Sequence, residues 1–308
     1  MGSTRGTSKH NGRKDKFDRF YTPQESADYL TGKMLGSMSP ETIAGTLFVE
    51  PSAGSGNFVT ALEKRGVQNI IAIDLCPATD ATCHTEIHSG DFLKTSRNDL
   101  LGMAGRDFPW ERIVFVGNPP FGVQGDLSIA FVNHCLELGS DVWFILPPTF
   151  RKESYCNRIP NGMIADVIEM PVTSYSLPDG SARVVPSAFI HYMRVASKPA
   201  RIGMPELLAM LPFEFVSMKG TSCKTDCFTI RRVGGTAGKA SERTDVSPAS
   251  NYLCRLHDGC GMSVDDVIKM INAIEFPERD WTVGPRSLSM REIANGWDRT
   301  YGKTYGML

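Results

Sequence analysis

Four apolar runs leave this chain few folds to choose from. Leu47-Phe48-Val49, Ile70-Ile71-Ala72-Ile73, Ile113-Val114-Phe115-Val116 and Val142-Trp143-Phe144-Ile145-Leu146 contain no polar residue. A strand with one wet face alternates polar with apolar; a strand covered on both faces does not. Helical stretches near 56–65 and 126–138 lie between the runs. The pattern therefore predicts an α/β domain, a mostly parallel sheet flanked by helices. Residues 163–170 and 184–195 are two further strand candidates. Thr22-Pro23-Gln24-Glu25 reads as a helix start, with Thr22 as N-cap, Pro23 at the first helical position and Glu25 closing a capping box.

A chain of 308 residues suits one such domain with an appendage. We expect a disordered basic arm over 1–19, the α/β domain over 20–200 and a small C-terminal module over 201–308. That module holds short strand candidates, a Gly/Ser/Thr-rich stretch from Gly234 to Ser250, and helices near 263–274 and 288–295. No run of about 18 apolar residues is present, so no membrane partner is expected. Residues 1–19 lack the apolar core of a secretory signal. Eight scattered cysteines without a C-x-x-C pair point to reduced thiols, an intracellular setting (cytoplasmic or nuclear) and no bound metal.

Charge matters by position. The totals, 33 Lys and Arg against 34 Asp and Glu, cancel to −1. Residues 1–19 and 218–243 nevertheless each carry +4, which leaves −9 for the rest. Two basic segments on an acidic body suit local binding of a polyanion, or else are simply solvated.

The segment Phe48-Val49-Glu50-Pro51-Ser52-Ala53-Gly54-Ser55-Gly56-Asn57-Phe58 joins a strand to a helix through a glycine turn. Such a turn lets the backbone approach a ligand closely. Asp74 ends the next strand, 24 residues after Glu50, where an acid can accept the hydroxyls of a ribose. The loop lacks the third glycine of a dinucleotide fingerprint and the Lys-Ser/Thr of a phosphate loop. Glu50 at its mouth suits an ammonium group and repels a pyrophosphate. An amino acid joined to a nucleoside, as in S-adenosyl-L-methionine, satisfies both features.

Val116-Gly117-Asn118-Pro119-Pro120-Phe121-Gly122 follows the third apolar run. Pro119 and Pro120 stiffen the backbone. Asn118 and the Pro119 carbonyl can both accept from one NH2 group, and Phe121 offers a flat face for a planar ring.

These two segments, in this order, resemble motifs I and IV of the amino-group (N6-adenine) methyltransferases of nucleic acid. Gly90-Asp91-Phe92 matches the acid–aromatic pair of that family, and Phe20-Tyr21-Thr22-Pro23 its N-terminal motif, an order similar to the gamma class. The likeness covers roughly residues 17–195 and extends to compact phage, viral and bacterial methyltransferase-like proteins. It implies a Rossmann-like methyltransferase fold, S-adenosyl-L-methionine as cofactor and methyl transfer to adenine N6 in DNA. Asn118, Pro119, Pro120 and Phe121 would be catalytic, with a flipped base stacked on Phe121. Tyr21, Thr22, Pro23, Glu50, Pro51, Ser52, Ala53, Gly54, Gly56, Asp74, Leu75, Asp91, Phe92 and Asn118 would hold the cofactor. The family often has Tyr where this chain has Phe121, which keeps stacking and removes a hydroxyl.

Arg151, Lys152, Arg231, Arg232 and Lys239 are the candidate nucleic-acid contacts. Val185-Pro186-Ser187 opens a strand where the family has another base contact. RNA adenine is the alternative substrate, because nothing in Asn-Pro-Pro-Phe reads the sugar. Protein glutamine N5-methylation is the second, and a catalytically inactive nucleic-acid-binding module the third.

Overall fold

The computed structural model describes residues 20–170, 174–177, 181–200, 202–218 and 225–305. The arm read at 1–19, and Lys219, Cys223 and Lys224, lie outside them. Two compact units divide the chain: one runs to Leu146 and resumes over Asn161–Val195, the other joins Pro147–Pro160 to the chain from Ala196. Residues 147–160, assigned from sequence to the first domain, thus belong to the second unit. Pro147 and Pro148, which have no ladder N–H to donate, end the strand before them.

In the first unit, β1 (Leu47–Glu50), β2 (Ile70–Asp74), β3 (Ile87–Ser89), β4 (Ile113–Gly117) and β5 (Asp141–Leu146) pair in parallel. β6 (Gly162–Glu169) follows, then the short antiparallel pair β7 (Ser174–Ser176) and β8 (Ala182–Val184), and β9 (Ala188–Arg194). The sheet runs β3-β2-β1-β4-β5-β9-β6, with β9 antiparallel to both neighbours. That order is the Rossmann-like methyltransferase fold. It reverses between β1 and β4, and the carboxyl ends of those strands form the crevice in which open α/β sheets bind ligands.

Helices α1 (Gln24–Leu35), α2 (Pro40–Ala44), α3 (Asn57–Glu63), α4 (Arg97–Ala104) and α5 (Asp126–Leu138) surround the sheet. α1 buries Ala27, Leu30, Thr31, Met34 and Leu35, the spacing of one helical stripe. Ala27, Leu30 and Met34 pack with Phe58, Ala61 and Leu62 of α3 against Phe48, Val114, Trp143 and Ile145. On the opposite face, Phe92 meets Phe115 of β4 at 5.7 Å and Phe131 of α5 at 5.5 Å. Both faces are covered, as the unbroken apolar runs require. The expected Thr22 capping box does not form: Pro23 is the N-cap and no side chain caps α1.

The second unit has α6 (Glu153–Cys156), α7 (Met204–Ala209) and a small antiparallel sheet. Its strands are β10 (Phe213–Val216), β11 (Cys227–Arg231), β12 (Ala240–Ser241) and β13 (Asn251–Leu256), in the order β10-β13-β11-β12. α8 (Val264–Ala273) starts on a Ser263–Asp266 capping box, and α9 (Met290–Tyr305) runs well past the 288–295 read from sequence. Phe213, Phe228 and Trp297 pack edge to face in its core. Cys227 is disulfide-bonded, so the expectation of reduced thiols fails there. No helix among the described residues is long and apolar enough to cross a membrane.

Phe189 stacks on Phe58 at 6.1 Å, lies 5.5 Å from Trp143 and is fully buried. Phe189→Ala should cost about 3–5 kcal/mol in urea unfolding followed by tryptophan fluorescence. A loss below about 1 kcal/mol would show that this ring does not anchor the core.

Candidate active site

A cleft of about 400 Å³ opens at the carboxyl ends of β1, β2 and β4, in the size range of small-molecule sites. Of the residues expected from sequence, Tyr21, Pro51, Ser52, Gly54, Asp74, Leu75, Asp91, Phe92, Asn118, Pro119 and Pro120 line it. Thr22, Pro23, Glu50, Ala53, Gly56 and Phe121 are not among the lining residues.

The glycine loop is clamped by Asp74. One carboxylate oxygen accepts from Gly54 N at 2.8 Å and the other from Cys76 N at 2.7 Å. Asp74 therefore shapes the cradle and presents its remaining lone pairs to the cleft. Gly54 sits at φ +53°, and a methyl group there would lie 3.0 Å from the Tyr21 ring. Asp91 accepts from Leu93 N at 3.2 Å and pairs with the exposed Lys94 at 3.2 Å. Leu75, 58% exposed, and Val123, 69% exposed, are apolar side chains left open at the rim.

Asn118 is where distant segments meet. Its Nδ2 donates to the Phe20 carbonyl at 2.9 Å and to Thr22 Oγ1 at 3.1 Å. A carbonyl can only accept, so the nitrogen must face Phe20 and the amide orientation is settled. Its Oδ1 is buried without a partner. Ser52 Oγ donates to the Asn118 carbonyl at 3.2 Å, tying the glycine loop to the Pro-Pro platform. Thr22 spends its hydroxyl on Asn118 and its carbonyl on Asn57 Nδ2 at 2.6 Å, which accounts for the missing cap. Tyr21 pairs with Ser176 through two backbone bonds, 2.9 and 3.1 Å. Residues 20–23 thus form a strap fastened at both sides. After Phe121, Gly122 turns the chain at φ +70°; a methyl group there would meet Leu127 Cβ at 2.8 Å.

Phe121 is buried, and its ring stacks on Phe20 at 5.6 Å and 24°. The platform expected for a base is therefore covered by a ring of this chain. Glu50 is 3% exposed behind the lining, with Oε2 unpartnered. Burial, and then the Asp74 charge, push its carboxyl well above the ordinary 4.5.

Phe20, Cys76, Gly90, Leu93, Gly122, Val123, Leu127 and Phe131 line the cleft without having been in the expected set. Phe20, Gly90 and Gly122 carried a signal, as members of the motif segments read from the sequence.

The candidate nucleic-acid contacts all lie in the second unit, each engaged within it. Arg151 lies over Trp281 at 4.4 Å and Arg232 over Tyr252 at 4.9 Å. Lys152, with its side chain 12% exposed, pairs with Glu292 at 3.4 Å and donates to the Ser287 carbonyl at 3.0 Å. Arg231 donates to Val233 O and Lys239 to Asn272 O, both at 2.8 Å. Among the described residues no group of three or more His, Cys, Asp or Glu side chains is placed to hold a metal ion.

No family model and no curated protein matches the chain. Several solved structures do. One from Pyrococcus horikoshii, assigned as an RNA methyltransferase, is 15% identical over 58% of this chain and 88% of that one, with a TM-score of 0.42. Another from Listeria monocytogenes, assigned as a class I S-adenosylmethionine-dependent methyltransferase, is 15% identical over 61% and 65%, at 0.40. TrmN from Thermus thermophilus is 17% identical over 56% and 49%, at 0.35. Likeness at this level says nothing about substrate.

The raised Glu50 value fixes a pH dependence. The folded state keeps a proton that the unfolded chain loses above about pH 4.5, so stability falls as pH rises through the folded value. Gln does not titrate. Glu50→Gln should raise the melting temperature by a few degrees at pH 7–8 and by much less near pH 4 in calorimetry. An equal shift at both pH values would mean that the proton is not the cause.

Proposed function

We propose that this chain transfers a methyl group from S-adenosylmethionine to the exocyclic N6 amino group of adenine in DNA. The carrying observation is Asn118, whose Nδ2 is held by Phe20 and Thr22 while Oδ1 lacks a partner. A buried acceptor left unpaired costs about 1–3 kcal/mol, and an incoming NH2 group relieves that cost.

The cradle suits the cofactor. We assign Asp74, at the end of β2, to the ribose, Asp91 and Phe92 to the adenine ring, and the Gly54 turn to the methionine backbone; all four line the same cleft. Glu50, behind them, adds negative potential for an ammonium group once it ionises. When bound, S-adenosylmethionine supplies an electrophilic methyl on a sulfonium.

Adenine's amino nitrogen is a poor nucleophile because its lone pair is conjugated with the ring. Asn118 Oδ1 and the Pro119 carbonyl, accepting its two N–H bonds, turn the lone pair toward the methyl carbon. With the methyl donor bound, its sulfonium would supply the methyl group, and the residues of this chain would only hold and orient the amino group that receives it. The protein's part is orientation and hydrogen bonding, with no covalent enzyme intermediate. Pro119 and Pro120 keep those acceptors from drifting.

Adenine ranks above a glutamine amide on the likeness of the two motifs to those of the N6-adenine enzymes, and DNA is placed ahead of RNA on the gamma-like motif order alone, since Asn-Pro-Pro-Phe reads no sugar. The engaged cations of the second unit make phosphate binding there dependent on loosening their internal partners.

Asn118→Ala should lower kcat by about 10²–10³-fold, measured as tritium transfer from labelled S-adenosylmethionine. Cofactor affinity by calorimetry should change far less. An unchanged kcat would remove Asn118 from the chemistry and the proposal with it.

A further inference from the structure

The Phe20–Phe121 stack has a consequence for how a substrate enters. Centroids 5.6 Å apart are those of a direct ring pair, too close to admit a third ring between them. Tyr175, fully buried, meets Phe20 edge-on at 6.2 Å and 82°. The guanidinium of Arg183 on β8 lies 5.8 Å from the centre of the same ring. Phe20 therefore occupies a slot with a flat wall, an edge wall and a cation. Those surroundings suit a flat aromatic ring. A phenyl ring differs from adenine in having no N–H to give, and the adjacent Asn118 Oδ1 is without a partner.

We infer that Phe20 is a resident stand-in for the target base, and that Phe121, Tyr175 and Arg183 are the walls of the base pocket. This rests on the reading of Phe121 as a base platform. Base entry swings the Phe20 side chain out while its backbone stays. The Phe20 carbonyl continues to hold Asn118 Nδ2, and the Tyr21–Ser176 pairing continues to fasten the strap. Closure by Phe20 keeps the pocket dry when empty. The base must displace a stacked ring, which weakens binding of any base that cannot also satisfy Asn118.

The test is adenosine binding to the full chain by calorimetry, with S-adenosylhomocysteine at saturation so that adenosine meets only the base pocket. Phe20→Ala should bind adenosine at least about fivefold more tightly than wild type, because no stacked ring is displaced. Phe20→Leu, which fills space without stacking, should gain less. Adding Phe121→Ala or Arg183→Leu to Phe20→Ala should erase the gain. Adenosine affinity unchanged or weakened in a folded Phe20→Ala protein would overturn the inference. If that variant does not fold, Phe20→Leu decides alone by the same criterion. A gain without methyl transfer to any adenine would keep the stand-in and sink the methyltransferase reading. Methyl transfer without a gain would do the reverse.

Discussion

One asparagine holds the site together. Asn118 spans about a third of the chain, with its side-chain Nδ2 donating to the strap at Phe20 and Thr22 and its backbone carbonyl accepting from Ser52 of the glycine loop. Without those bonds the strap, the loop and the Pro-Pro platform would be three separate loops at one sheet edge. With them, the amide is locked in the sense that leaves Oδ1 as an acceptor. The sheet makes this possible by its order alone, since β1 and β4 are neighbours and deliver the two loops side by side.

The acids divide the remaining work by depth. Asp74 lies at the surface of the cleft and is already bonded by two backbone N–H groups, so it clamps the glycine loop. Glu50 lies beneath, desolvated and close to Asp74's charge. Two carboxyls in one field cannot both ionise cheaply, and burial together with the Asp74 charge raises the deeper carboxyl well above its ordinary range. A cationic group in the cleft reverses that balance.

Much of the first unit was legible in the sequence. Unbroken apolar runs forecast a sheet covered on both faces, and the helix expected over 126–138 is α5 in full. The two loops expected to carry chemistry do meet in one cleft, because strand ends are local and their meeting follows from sheet order. What stayed hidden was long-range. Thr22 looked like a helix cap by its neighbours, and its hydroxyl is instead bonded to a residue 96 positions away. Lys152 looked like a nucleic-acid contact, and its partners lie within the chain, 135 and 140 positions further on. Phe121 looked like an open platform, and the ring that covers it comes from Phe20. Spacing along a chain reports periodicity and caps; it does not report which side chain fills another's pocket.

The account's central claim concerns the atom that is methylated. The full chain, incubated with isotopically labelled S-adenosylmethionine and separate pools of DNA, RNA and protein, can be digested and read by nucleoside and amino-acid mass spectrometry. The account predicts label on N6-methyl-2′-deoxyadenosine from the DNA pool. Label on a glutamine amide, on a ring carbon, or on no product in any pool would contradict it.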